Sequence, residues 1–168
     1  EKKAQEILQS SLNLYPKNLI LNQLKVDLKQ RKIFNNKFDC RNSTHIVAEI
    51  LYIVANGLAF QENYVASNFY LNLAKYLNPN FISFEILYAK NFFIINEYEA
   101  AKQVYKEIEK YGSVYSWYAS KQIASILITQ EKKKEAVIFL EKTFQRIKNL
   151  TAYEIFDYAD FLKNNEKY

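Results

Sequence analysis

Asn63-Tyr64-Val65-Ala66 and Glu97-Tyr98-Glu99-Ala100-Ala101 decide the fold of this chain. Each stretch lies between two apolar segments of helical period. Tyr64 and Tyr98 are 34 residues apart (98 − 64), and Ala55 and Ala89 keep the same offset (89 − 55). A fixed period of this length marks stacked helix pairs, in which each pair buries its apolar face against its neighbours in the chain.

The register extends outward from these two points. Ala55, Ala89, Ala124 and Ala159 recur at 34, 35 and 35 residues (89 − 55, 124 − 89, 159 − 124) in what read as the first helices of successive hairpins. Ser67, Ala101 and Ala136 recur in the second helices. A small side chain lets two helix backbones approach at one crossing point. Large residues stand beside them: Leu58, Phe92, Leu127 and Leu162 in the first helices, and Leu71, Tyr105 and Leu140 in the second. The apolar spacing predicts helices near 44–61, 64–77, 81–95, 98–110, 115–130, 133–147 and 151–163. Two more precede them, Lys2 to Leu14 with Ala4, Ile7, Leu8 and Leu12, and Asn18 to Ile33 with Leu21, Leu24, Val26 and Leu28.

Punctuation between these segments is sparse. Tyr15-Pro16 and Asn78-Pro79-Asn80 stop helices, because proline cannot continue one and disfavours helix just before it. Gly112 suits a left-handed C-cap. Asn35 to Asn42 has no period and reads as a loop in place of a helix, with Ser43 or Thr44 as the next N-cap. The organisation expected is a helix pair over 1–33, a loop over 34–43 and an array over 44–168. The array divides into units 48–81, 82–116 and 117–151 and a partial unit 152–168.

Only 2 Gly and 2 Pro in 168 residues argue against a β-rich fold, and 49% hydrophobic residues argue against disorder. No methionine is present and Glu1 opens inside a helical pattern, which reads as a slice of a longer protein or a processed form. No apolar run of about 18 residues is found, so no transmembrane segment is expected. Net charge is +5, with Lys and Glu mixed rather than blocked, so nucleic acid is not an expected partner. Lys, Asn, Ile, Tyr and Phe predominate over residues with GC-rich codons, which points to a low-GC genome.

The register resembles that of tetratricopeptide repeats. Leu51, Val54, Ala55, Leu58, Tyr64, Ser67, Leu71, Ala74 and Pro79 carry the resemblance best. The next unit keeps Tyr88, Ala89, Phe92, Tyr98, Ala101 and Tyr105, but has Glu85 at an aromatic place and Ile108 at a small one. The third keeps Ile123, Ala124, Leu127, Ala136 and Leu140, with Lys133 in place of the tyrosine. Ala48 to Tyr52 followed by Asn68 to Phe81 further resembles the central segment of long repeat proteins of alphaproteobacteria, which implies a bacterial source and no defined activity. The resemblance implies an all-α, right-handed α-solenoid of antiparallel hairpins, about nine helices in all.

Such arrays bind on the concave face lined by the first helices. The resemblance places Glu49, Tyr52, Asn56 and Phe60 there from one unit, Ile86, Lys90 and Phe93 from the next, and Tyr118, Lys121 and Ser125 from the third. The expected function is a non-catalytic scaffold that binds a peptide or helix, with a protein partner and no cofactor. A second reading is an accessory domain of a larger enzyme or envelope-assembly protein. A third, single-stranded RNA binding, ranks behind both because most aromatics fall at core spacing. Tyr52, Leu87, Tyr118 and Gln122 depart from the set that clamps chaperone tails in this family. Cys40 and His45 are the only cysteine and histidine, too few for a zinc site. No triad and no glycine-rich phosphate loop is present. Asn42-Ser43-Thr44 and Asn149-Leu150-Thr151 fit the glycosylation pattern but read as helix starts. Apolar faces at the terminal repeats favour self-association. Bacterial cytoplasm and periplasm both remain open as the compartment.

Overall fold

The structure is a computed structural model that describes residues 2–32, 38–148 and 150–165. It is all-helical among those residues. The helices are α1 (Lys2–Leu14), α2 (Leu19–Lys29), α3 (Ser43–Phe60), α4 (Tyr64–Leu77), α5 (Ser83–Ile94), α6 (Tyr98–Ile108), α7 (Ser113–Thr129), α8 (Lys133–Arg146) and α9 (Ala152–Asn164). A 3₁₀ turn, Glu109–Tyr111, joins α6 to α7. Ile33 at the end of the expected second helix, residues 34–37 of the expected loop, and Tyr168 at the end of the partial unit lie outside the described residues.

Three hairpins, α3–α4, α5–α6 and α7–α8, stack in chain order, and α9 lies on α7 and α8. Their turns are one device used three times. Glu62, Asn96 and Glu131 have φ of 62°, 63° and 63°. The following N–H groups of Asn63, Glu97 and Lys132 donate to Leu58 O, Phe92 O and Leu127 O at 2.9, 2.9 and 2.8 Å. This is the Schellman closure, which satisfies carbonyls left free at a helix end. It is built here without glycine. Arg31, with φ 53°, ends α2 in the same way, with Lys32 N–H donating to Asp27 O at 3.0 Å. By this ending α2 belongs with the first helices of the hairpins.

Three N-caps are asparagines. Asn18, Asn42 and Asn63 accept from the backbone N–H groups of Leu21, Thr44 and Ala66. Asn42 therefore caps α3 where Ser43 or Thr44 was expected. Thr151 and Glu154 form a reciprocal capping box on α9, consistent with the helix-start reading of that pattern.

The small residues sit where the register places them. Ala55, Ala89, Ala124, Ser67, Ala101 and Ala136 are fully buried, and Leu71, Tyr105 and Leu140 fill the space beside them. Ala159 departs from this and is exposed, because no described helix packs on that side of α9. The first two hairpins are also tied by a buried polar chain. Ser67 Oγ donates to Ala55 O at 2.8 Å, and Asn91 Nδ2 donates to Ser67 Oγ and Asn68 Oδ1, each at 2.8 Å. Glu85, at the place the family gives to an aromatic, is buried and pairs with Lys75 at 2.9 Å.

One expectation needs correction. α3 has 18 residues and is long and apolar enough, by length and composition alone, to cross a membrane, although no run of that kind was expected. It packs Ala48 and Ala55 against α4. The N-terminal pair does not continue the stack ahead of α3. α2 packs on α7 instead, and α1 packs on α2 with Ala4 and Ile7 left exposed.

Asn91→Ala removes both donors of the α4–α5 link, leaving a void and a broken network. Urea unfolding is expected to show a loss of about 1–3 kcal/mol with an unchanged m-value.

Candidate functional site

The seat of α2 is built around Gln23, which is 4% exposed although it carries a carboxamide. Its Oε1 accepts from the Val114 backbone N–H at 3.0 Å, and its Nε2 donates to Asp27 Oδ1 at 2.9 Å. Val114 lies in the first turn of α7, where N–H groups have no partner inside the helix. α7 begins at Gly112 and has no capping side chain of its own. Gln23 thus supplies, from 91 residues away, an acceptor that the local sequence lacks.

Gly112 makes room for it. Its φ of 146° and ψ of 175° fall in a region that L-residues avoid. That conformation is not the left-handed C-cap expected from sequence. A Cβ at this position would collide with the Gln23 carboxamide. Leu19, one turn earlier on α2, packs on the core cluster that contains Ala89, Tyr115, Ala119 and Ile123, where Ile86 and Tyr118 also pack.

Beside this contact lies a cavity of about 330 Å³, walled by the α1–α2 turn, α7 and α9. Pro16, Lys17, Leu19 and Asn22 form one side, and Trp117, Tyr118, Lys121 and Gln122 form the floor. Lys17 stands over the Tyr153 ring at 5.7 Å. Lys121 pairs with Asp157 at 2.5 Å. The Trp117 indole N–H is buried with no hydrogen-bond partner.

The ten expected groove residues do not share one setting. Tyr118 and Lys121 line the cavity together, but Lys121 is held by Asp157 rather than presented to solvent. Ile86 and Phe93 are half-buried, with Phe93 packed on Tyr98, and Tyr52 lies 5.2 Å from Phe84. Asn56, Lys90 and Ser125 are exposed. Asn56 and Ser125 donate to the carbonyls of Tyr52 and Lys121, one turn back on their own helices. Glu49 is half-buried and burial raises its carboxyl above the usual range. Phe60, 92% exposed, lies on the outer stripe of α3 with Ile46 and Ile53.

Sequence reasoning missed Gln23, whose polarity on an otherwise apolar helix side was the available signal. Among the described residues no cluster of His, Cys, Asp and Glu is arranged to hold a metal. His45 Nδ1 accepts from the Asp39 backbone N–H at 3.0 Å, and Cys40 is exposed. The chain matches no family model, no curated protein and no solved structure.

Two outcomes follow from the α2 seat. Gln23→Leu leaves the Val114 N–H buried without an acceptor. Hydrogen exchange should then quicken at Val114 and across α1–α2, by about 10-fold or more, with α3 and α4 unchanged. Burial, with the Asp27 carboxylate nearby, pushes the Tyr115 phenol from 10.0 up to about 12. Tyr105 and Tyr118 are raised by burial as well. The folded state therefore keeps phenolic protons that the unfolded chain gives up. Stability should be complete below pH 10 and fall from there to about pH 12. Tyrosinate absorbance should rise together with unfolding.

Proposed function

We propose that the chain is a right-handed, tetratricopeptide-like superhelix that acts as a non-catalytic scaffold, binding a helix or extended peptide along its first helices. The observation that carries this reading is the seat of α2. An 11-residue helix of the chain itself lies against the side of α7 that bears Tyr118 and Lys121. It is held by one apolar anchor, Leu19, and one polar contact to a helix start, Gln23 to Val114. Apolar anchoring of an amphipathic helix in a groove is a common mode of peptide recognition.

The α7 part of the groove is therefore filled, and the part left for a partner is the run over α3 and α5. It offers the Tyr52 ring, the exposed Asn56 and Lys90, and the half-buried Ile86 and Phe93. Among the described residues no ion pair holds Lys90, which leaves its charge available to an acidic group. Lys121 is assigned to the internal Asp157 pair and takes no part in recognition.

Affinity capture with the intact chain and with Tyr52→Ala and Lys90→Glu variants tests this. Loss of about 10-fold or more in recovered partner is expected for each, with unchanged circular dichroism. The same partners at the same yield from both variants would remove the α3–α5 groove as the site.

A further inference from the structure

Because α1–α2 turns back onto α7, the side of α3–α4 that a preceding hairpin would cover is bare among the described residues. Ile46, Ile50, Ile53, Gly57 and Phe60 follow one another along α3 at steps of 4, 3, 4 and 3 residues. That spacing is the seam of a two-stranded coiled coil, in which every such position faces a partner helix. All four large side chains of the seam are exposed, at 41, 55, 62 and 92%. Val47 and Val54 flank it, and α4 adds Val65, Phe69 and Tyr76. None of these residues carries a charge.

Gly57 supplies a second, independent observation. A glycine inside a helix costs about 1 kcal/mol relative to alanine. A Cβ there would meet nothing within 4 Å. The fold of the chain itself gives no use for this glycine. A bare position in the middle of an apolar seam admits the close approach of a second helix backbone.

We infer that this face pairs two copies of the chain, α3 against α3 about a two-fold axis near Ile53. The exposed parts of the apolar side chains on α3 and α4 amount to roughly 1,000 Å². One partner of a standard interface contributes about 800 Å², and a single monomer seldom carries an apolar patch above about 600 Å². The seam itself carries no charge and meets no repulsion when it packs on itself, as a two-fold contact requires, and Glu49 on its other flank, beside Asn56, is half-buried. The pairing meets the groove reading at Asn56, which flanks the seam, but Tyr52 and Lys90, whose variants test the groove, belong to neither seam nor flank.

Sedimentation of the 168-residue chain at micromolar concentration tests the inference, alongside Ile53→Glu and Phe60→Asp. The wild type should sediment as a dimer. Each variant should dissociate at concentrations at least about 100-fold higher, with an unchanged helical spectrum. Phe60 is nearly free of contacts within the chain, so its variant keeps the result readable if Ile53→Glu loses structure. In a Cys40→Ser background, Ile53→Cys should oxidise to a single cross-linked dimer, because the centre of the seam meets itself in either helix orientation. A monomeric wild type, a dimer that survives both variants, or a ladder of cross-linked forms would overturn the pairing. So would binding of the monomer to vesicles of phosphatidylcholine and phosphatidylserine that Phe60→Asp abolishes, because the same face would then belong to a lipid surface.

Discussion

The hydrogen bond from the Val114 N–H to Gln23 Oε1 ties the N-terminal helix pair to α7, and the exposed surfaces of the stack follow from that seat. A helix start inside a protein exposes N–H groups that must find acceptors, and an unmet one costs as much as several good contacts gain. α7 begins at a glycine in an extended, positive-φ conformation and brings no capping side chain. The acceptor comes instead from α2, and with it comes Leu19 into the core beside Tyr115 and Ala119. Seating α2 there has two consequences. It sets α2 beside the part of α7 that bears Tyr118 and Lys121, and among the described residues it leaves the outer side of α3–α4 without a covering hairpin.

Elsewhere the stack is held by small residues at the crossings and by a different polar contact at each junction. Asn91 reaches Ser67 and Asn68 between the first two hairpins, where Lys75 also meets Glu85. Ser120 donates to Glu109 between the second and third, at 2.9 Å. Lys121 meets Asp157 between the third hairpin and α9. Packing of alanines against large apolar side chains has little directional preference. The buried polar pairs have a strong one, since a mismatched register would leave each of them unpaired.

How far the sequence disclosed this follows from the range of each signal. Ala55, Ala89 and Ala124 were legible because a repeating fold repeats its crossings, and all three are buried as expected. The helix spans were legible for the same reason. The hairpin turns were legible as the gaps between those spans, but their closure was not, because Glu62, Asn96 and Glu131 take positive φ without glycine. Glu85 read as a departure from the family pattern, and only the fold brings Lys75 to its carboxylate. Lys121 looked like a free surface cation until α9 set Asp157 against it. Gln23 was least legible of all, since its partner is a backbone group 91 residues away and no periodicity links the two. Of the candidate groove, the positions on α3, α5 and α7 came from the register. The occupation of its α7 end by α2 did not.

The N-terminal helix pair thus has two conceivable seats, the side of α7 and the bare side of α3. They differ in what Leu19 touches. Nuclear Overhauser contacts from the Leu19 methyl groups, in a chain with labelled methyl and aromatic protons, separate the two directly. Cross-peaks to the Tyr115 ring and the Ala119 methyl are the predicted result. Cross-peaks to the methyl groups of Ile46 and Ile50 would place the pair on α3 and contradict the account.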